Sequence, residues 1–368
     1  MKNITIATII HELEQFAPTA YQESYDNCGL LTGAAYWECT GILCTLDATE
    51  AVVLEAISKG CNLIVAHHPI IFSGLKKLNG KNYIERTIIA AIKNDIAIYA
   101  IHTNADNMLH GVNHAIANKL QLVNQQILLP KTNTLAKLIT FVPTDYLGSV
   151  RQALFNAGAG NIGNYSEASF SSDGIGTYKA NDLANPFIGE KNQLHQEPEK
   201  RLEIIFPIYL QQGILKALVQ AHPYEEVAYD IVPLANANQT IGSGMVGNLS
   251  EAIDEVQFLQ TLKQSFGLKV IRHTPLLGKK IQRVALCGGA GSFLIKHAIA
   301  AHADIYITAD IKYHEFFDAE EKLIIADIGH WESEQYTIDI LIGLLTFKFP
   351  TFGSLKSEVV TNPVQYFV

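Results

Sequence analysis

Asn62-Leu63-Ile64-Val65-Ala66-His67-His68-Pro69 sets a short apolar run directly before two histidines and a proline. The run over residues 62–66 reads as a buried strand, and in open α/β sheets ligands gather at the carboxyl ends of strands. Neighbouring side chains on a regular strand point to opposite faces. Just past a strand end they need not, and Pro69 restricts the backbone of His68. The histidine pair therefore points to a metal at the strand end, against the simpler case of two satisfied surface histidines.

Outward from this stretch, apolar runs alternate with helical periodicity. Residues 4–16 predict an opening helix, 41–46 a strand, and Thr49 caps a helix to residue 59. A helix over 83–93, a strand over 96–101 and a helix over 111–120 follow. The alternation returns near the C-terminus. There, strands are expected over 283–286, 304–308 and 323–327, with a Gly-rich stretch over 287–292. Helices are expected over 312–320 and 332–347, and a closing strand over 358–368. Such β-α alternation predicts a layered α/β domain with buried strands. The middle differs. Strands over 135–142, 165–170, 202–210 and 227–234, with helices over 146–156 and 213–220, give the β-α-β-β-α-β order of a ferredoxin-like α+β unit. A loop is expected over 171–198. One α/β domain (1–131 and 236–368) is thus expected to be split by an insertion at 132–235.

The 368 residues are 48% hydrophobic and 17% charged, enough for a sizeable core and unlike a disordered chain. A formal net charge of −9 disfavours general nucleic-acid binding, which rests on Lys and Arg contacts to phosphate. Five cysteines without a C-x-x-C pair argue against a disulfide framework and a zinc knuckle, and for a reducing, cytoplasmic location. No run of about 18 uninterrupted apolar residues predicts a membrane span.

Two more strand ends carry metal-ligating chemistry. His102-Thr103-Asn104-Ala105-Asp106 follows the 96–101 strand. Asp106 offers two oxygens that could bridge two ions. His102 could be a ligand, an orienting partner or a loop histidine, and orienting partners are usual beside ligands. Gly329-His330-Trp331-Glu332-Ser333-Glu334 follows the 323–327 strand, and His330 and Glu334 lie at i and i+4 on one helical face. Glu332 faces elsewhere and reads as a solvated or helix-dipole-pairing carboxylate. Together His67, His68, Asp106, His330 and Glu334 exceed the usual three protein ligands of a mononuclear catalytic site. Mixed imidazole and carboxylate donors suit Zn, with Mn, Fe or Co as alternatives. A pair of bridged divalent ions is the economical expectation. Weaker signals are the Gly-rich 287–292 stretch, read as a tight turn rather than an anion cradle, and the cleft candidates Asp310, Lys312, Tyr313 and His314. Asp26 and Asn27 read as turn residues ahead of the alternative of further polar groups in the cleft.

These motifs in this order resemble the Nif-three-like proteins with a dinuclear metal centre, often labelled GTP cyclohydrolase 1 type 2 homologues. The resemblance rests on Asp26-Asn27-Cys28-Gly29, His67-His68-Pro69, His102 to Asp106, Thr308 to His314, and Gly329-His330 with Glu334. Tyr25 stands where many members have Trp, and Ala309 where Gly is common. The resemblance implies the same five metal ligands and a toroidal homohexamer. It also implies an insertion like the PII and CutA-type domains, to which His222-Pro223-Tyr224-Glu225-Glu226 belongs. The function expected is metal-dependent hydrolysis of a nucleotide or related small molecule through metal-activated water, with His102 and His314 as proton carriers. The alternative is a hexameric metal- or ligand-sensing protein without catalysis.

Overall fold

The histidine-bearing strand lies at the centre of a five-stranded sheet. Its order is Gly29–Thr32, Ala97–Ala100, Leu63–His68, Ile42–Asp47, Ser354–Lys356. The last four run parallel and Gly29–Thr32 is antiparallel at the edge. The inner strands are near-continuously apolar because both faces are covered. Leu43, Ile64, Ala66 and Ile98 pack under the helices Glu50–Ser58 and Tyr83–Lys93. Alternate residues Cys44, Leu63, Val65 and Tyr99 enter a second core.

That second core joins the two ends of the chain. It also takes Leu286, Ile305, Ile324 and Leu341, together with Ile6, Ile9 and Leu13 of the opening helix Ile6–Phe16. Each such fully buried aliphatic side chain stabilises the fold by about 1.5–3 kcal/mol. The C-terminal half forms a six-stranded sheet ordered Arg272–His273, Ile324–Asp327, Ile305–Ala309, Lys280–Ala290, Asn238–Asp254, Val123–Lys131. Helices start on side-chain caps: Thr49, Asn82 and Asp254 accept from backbone N–H groups in the next turn.

This computed structural model describes residues 4–367. The chain divides into two compact units, one built from the residues up to Leu129 and from Thr240 onward, the other Pro130–Gln239. The second unit has an antiparallel sheet ordered Phe170–Lys179, Leu194–Pro207, Leu135–Pro143, Tyr229–Leu234. Its helices Leu147–Asn156 and Gln211–Ala221 bury Val150, Leu154, Ile214 and Leu218 against Leu138, Leu202, Ile204 and Phe206. In chain order this is strand, helix, strand, strand, helix, strand. Among the described residues no helix is long and apolar enough to cross a membrane.

Several boundaries differ from expectation for identifiable reasons. The expected strand at 165–170 begins instead at Phe170, and the expected loop at 171–198 holds that strand and the start of the next. Phe170–Lys179 is largely exposed on both faces, so it lacks the apolar alternation that signals a strand. Residues 312–320 form a 3-10 turn, Tyr313–Ala319, not an α-helix. The expected helix at 332–347 is two helices, His330–Glu334 and Thr337–Lys348. No strand forms from residue 358 to 367, and Val368 lies outside the described residues. Side chains hold that segment instead. Glu55 accepts from Glu358 N at 2.8 Å, Asp47 from the Thr361 hydroxyl at 2.5 Å, and Glu332 from Asn362 Nδ2 at 3.0 Å. The parallel edge strand there is Ser354–Lys356.

The strands flanking the second unit are neighbours in one sheet. Replacing residues 132–235 by a short Gly/Ser linker should therefore leave the rest cooperatively folded, since a unit of this kind carries its own core. Circular dichroism melts check this; loss of a cooperative transition would show that the first unit needs the second.

Candidate metal centre

Four histidines converge, and each has Nδ1 engaged by an oxygen. His67 Nδ1 lies 2.9 Å from the carbonyl of Ile101, and His68 Nδ1 2.8 Å from Asp47 Oδ1. His102 Nδ1 lies 2.8 Å from Asp26 Oδ1, and His330 Nδ1 2.7 Å from Asp310 Oδ2. A carbonyl or carboxylate only accepts, so these contacts place the proton on Nδ1 and turn Nε2 toward the common centre. This is how metal-ligating histidines are oriented.

The inward atoms sit close together. His68 Nε2 is 2.9 Å from Glu334 Oε2 and 3.3 Å from His330 Nε2. His330 Nε2 is 3.1 Å from Glu334 Oε2. His67 Nε2 lies 3.6 Å from Asp106 Oδ1 and 3.9 Å from Glu334 Oε1. Both His67 Nε2 and Asp106 Oδ1 are buried with no hydrogen-bond partner. Three donor trios fit a cation: His67, His68 and His102; His68, His330 and Glu334; and His67, Asp106 and Glu334.

The electrostatics ask for positive charge here. Burial and the neighbouring Glu334 carboxylate push the Asp106 carboxyl well above its usual range. Burial works against ionised Glu334, yet hydrogen bonds from His330 and His68, with the His67 ring nearby, outweigh it and hold its carboxyl well below. Burial likewise opposes a charged His68, but Asp47 and Glu334 overcome it and raise the ring to about 10. Glu334 and Asp310 raise His330 to about 9 against its own burial. His67, wholly buried, is lowered by desolvation. In the protein alone, protons on His68 and His330 thus supply what a cation would. The nearby Cys28 thiol is pushed up to about 12 by burial and Asp26, so it stays neutral, and the donors are nitrogen and oxygen.

Local sequence explains the placement. The strand runs through both histidines, with Asp47 and His68 as register partners, rather than ending at Ala66. Asp106 closes the short helix Thr103–Asp106, and His330 and Glu334 share the short helix after Ile324–Asp327. The Gly-rich stretch is the end of strand Lys280–Ala290 and its tight connection through Gly291 to the 3-10 turn Ser292–Leu294 and the helix Ile295–Ala300. Two of its N–H groups are taken by side chains: Asn113 Oδ1 accepts from Gly288 at 2.9 Å and the Ser333 hydroxyl from Gly289 at 3.0 Å. Asn113 Nδ2 donates to the Asp106 carbonyl at 3.0 Å, and Ser333 Oγ to that of His330 at 2.7 Å. These two side chains fasten both halves of the site to one strand. Gly289 has φ +63°, and a Cβ there would collide with the Glu334 carboxylate.

The structure brings His67, His68, Asp106, His330 and Glu334 together and adds His102 to the inward set. It does not bring His314, which is exposed and packs on Tyr313 and Phe317 because the 3-10 turn carries it outward. Asp310 is the residue of that loop that reaches the centre. Glu332 is buried on the C-terminal segment, not solvated. Asp26 is more than a turn residue: besides His102 it accepts from Thr103 N at 3.0 Å and from the Thr103 hydroxyl. Asp47 escaped sequence reasoning, although it ends the neighbouring strand and the strand-end rule would have found it. A cleft of about 390 Å³ opens onto the centre, with Tyr25, Phe72 and Phe293 on its walls.

Gly289→Ala should destabilise the protein by about 1–3 kcal/mol, from the positive φ and the displaced Glu334. Gly343→Ala, on the exposed face of helix Thr337–Lys348 with open space around it, should be neutral or stabilising by about 0.5–1 kcal/mol. Denaturant titration of both variants checks this, and equal midpoints would show that Glu334 does not need the room Gly289 leaves.

Comparison with known proteins agrees with this architecture. The family model described as Duf34/NIF3 (NGG1p interacting factor 3) matches residues 4–363. A Bacillus subtilis protein named GTP cyclohydrolase 1 type 2 homolog is 40% identical over 370 residues, 99% of each chain. One of the same name from Halalkalibacterium halodurans is 40% identical over 332 residues, covering 90% of this chain and 89% of that protein. The crystal structure of a Bacillus cereus protein related to NIF3 superposes with a TM-score of 0.87 at 39% identity, covering all of both chains. The chain belongs to the DUF34/NIF3 family.

Proposed function

We propose that this protein holds two divalent metal ions in the cluster and uses them to hydrolyse a nucleotide or a related heterocyclic small molecule. The observation that carries the proposal is a pair of adjacent spots at which nitrogen and oxygen atoms able to ligate a cation converge. At one, His67 Nε2 and Asp106 Oδ1 lie 3.6 Å apart without a partner. At the other, His68 Nε2 and His330 Nε2 lie 3.3 Å apart, and each would be free to ligate once a cation displaced its Nε2 proton. Glu334 turns one oxygen toward each spot, Oε1 to His67 and Oε2 to His68 and His330. It therefore suits the bridging place better than Asp106.

The donor set fits Zn best among Zn, Mn, Fe and Co, and such ions supply Lewis acidity that makes a bound water nucleophilic near neutral pH. The rest falls to the chain. Asp47, Asp26 and Asp310 hold the histidine rings in place. His102, oriented like the other three, serves as a donor rather than as a free proton carrier. Tyr25, Phe72 and Phe293 offer ring faces on which a planar heterocycle stacks. The name carried by the relatives, a cyclohydrolase acting on GTP, is consistent with such a substrate. The assembly proposed with this function is a homohexamer, and the exposed aromatic side chains of Tyr313, Phe317 and Phe347 give it apolar surface to cover. A ligand-sensing role is the second reading, favoured by a separate cavity in the Pro130–Gln239 unit.

Protein stripped with chelator and reloaded with Zn or Mn should hold about two ions per chain. Screened over nucleotides and phosphoesters, it should hydrolyse at least one class. Asp106→Ala should bind fewer ions and lose about 10²-fold or more of that activity. Turnover that survives Asp106→Ala, or full loading without turnover of any substrate, would count against the hydrolase.

A further inference from the structure

The Pro130–Gln239 unit has a cavity of about 640 Å³ on the sheet face opposite its helices. Phe141 and Glu199 line it, while Leu202, Ile204 and Phe206 of the same sheet face the helical core. The connection between strands Phe170–Lys179 and Leu194–Pro207 folds over this face. Tyr178 donates to the Ile188 carbonyl at 2.5 Å, and Asn185 N donates to Glu225 Oε1 at 2.7 Å. Phe187 from that connection meets the Tyr224 ring at 6.3 Å, and Tyr178 meets it at 6.0 Å. An aromatic-walled pocket results.

His222-Pro223-Tyr224-Glu225-Glu226 builds this pocket. His222 Nε2 donates to the Phe141 carbonyl at 2.9 Å, which leaves Nδ1 to accept from Tyr224 N at 3.1 Å. Tyr224 is thereby set with its hydroxyl donating to Glu199 Oε1 at 2.9 Å. Glu199 is only 8% exposed. Its second oxygen has no hydrogen-bond partner, and no lysine or arginine pairs with it among the described residues. Lys200 pairs with Asp173 and Arg201 with Glu203; Arg201 and Lys179 line the cavity, and neither pairs with Glu199. Gly176 on the adjacent strand leaves the room this carboxylate occupies, since a Cβ there would collide with it. A buried carboxylate without a cation is costly, and aromatic faces beside it are attractive to positive charge.

We propose that this cavity binds a small organic cation, an amine or quaternary ammonium on an apolar body. The charge rests on Glu199 Oε2, and the body lies against Tyr178, Phe187 and Tyr224. The site is separate from the metal cluster and does not depend on the reading of it.

Calorimetry of the full chain with three probes that share an indole body tests this: tryptamine, tryptophol and indole-3-acetate, respectively cationic, neutral and anionic. Tryptamine should bind at least about tenfold more tightly than the other two. Glu199→Gln should weaken tryptamine by about tenfold or more while the other two change little. Phe187→Ala, on the half-exposed connection, should weaken tryptamine severalfold and keeps the test open if Glu199→Gln melts early. Equal binding of the three probes, or tryptamine affinity untouched by either substitution, overturns the proposal. So does absence of tryptamine binding; if Glu199→Gln then alters the sedimentation coefficient, a second copy of the chain occupies the face instead.

Discussion

A buried carboxylate organises the first unit. Glu334 is almost wholly inaccessible, and an ion placed there without compensation costs several kcal/mol. Compensation comes from residues far away in the chain: His67 and His68 from the N-terminal half, His330 from its own helical turn. Neither half of the sheet pair can satisfy its polar centre alone, so the ends of the chain must meet. The shared apolar core that joins opening helix, first sheet and second sheet brings them together. Asn113 and Ser333 then tie both sides to the strand that carries Gly288 and Gly289. Cooperative folding of the unit and assembly of the site are in this sense one event.

Much of this was legible in the residues. Apolar runs ending in His-His, His-x-x-x-Asp and His-x-x-x-Glu marked three strand ends, and all five expected donors meet in space. The layered α/β class followed from the same alternation. What escaped notice did so for physical reasons. Asp47 ends the strand beside the His67-His68 strand but stands next to no other ligand-type residue in the sequence, and Asp310, marked as a cleft residue, showed its partner His330 only in the fold. Gly289 resembles any turn glycine until Glu334 is seen filling the space beside it. Phe170–Lys179 could not be recognised by period because its pairing partners, not a buried face, make it a strand. His314 shared a motif with Asp310, but the tight 3-10 turn sends the two side chains in different directions.

The two units solve opposite problems. In the first, carboxylates and imidazoles are concentrated until only a metal or added protons balance them. In the second, the buried Glu199 carboxylate lies beside aromatic rings and makes no ion pair with a lysine or arginine among the described residues. Each asks for positive charge, one for small hard or borderline ions and the other for a soft organic cation. The relatives' shared name, GTP cyclohydrolase 1 type 2 homolog, bears only on the function proposed for the first site. It says nothing of the second site, where the residues themselves are the guide.

The central claim is the proposal that two ions would be held side by side, with Glu334 offering one oxygen to each. Crystals grown with zinc and without chelator, with data collected above and below the zinc absorption edge, test it most directly. The account predicts two anomalous peaks per chain, one among His67, Asp106 and Glu334 Oε1, the other among His68, His330 and Glu334 Oε2. A single peak, or peaks that leave Glu334 without a metal contact, would contradict it.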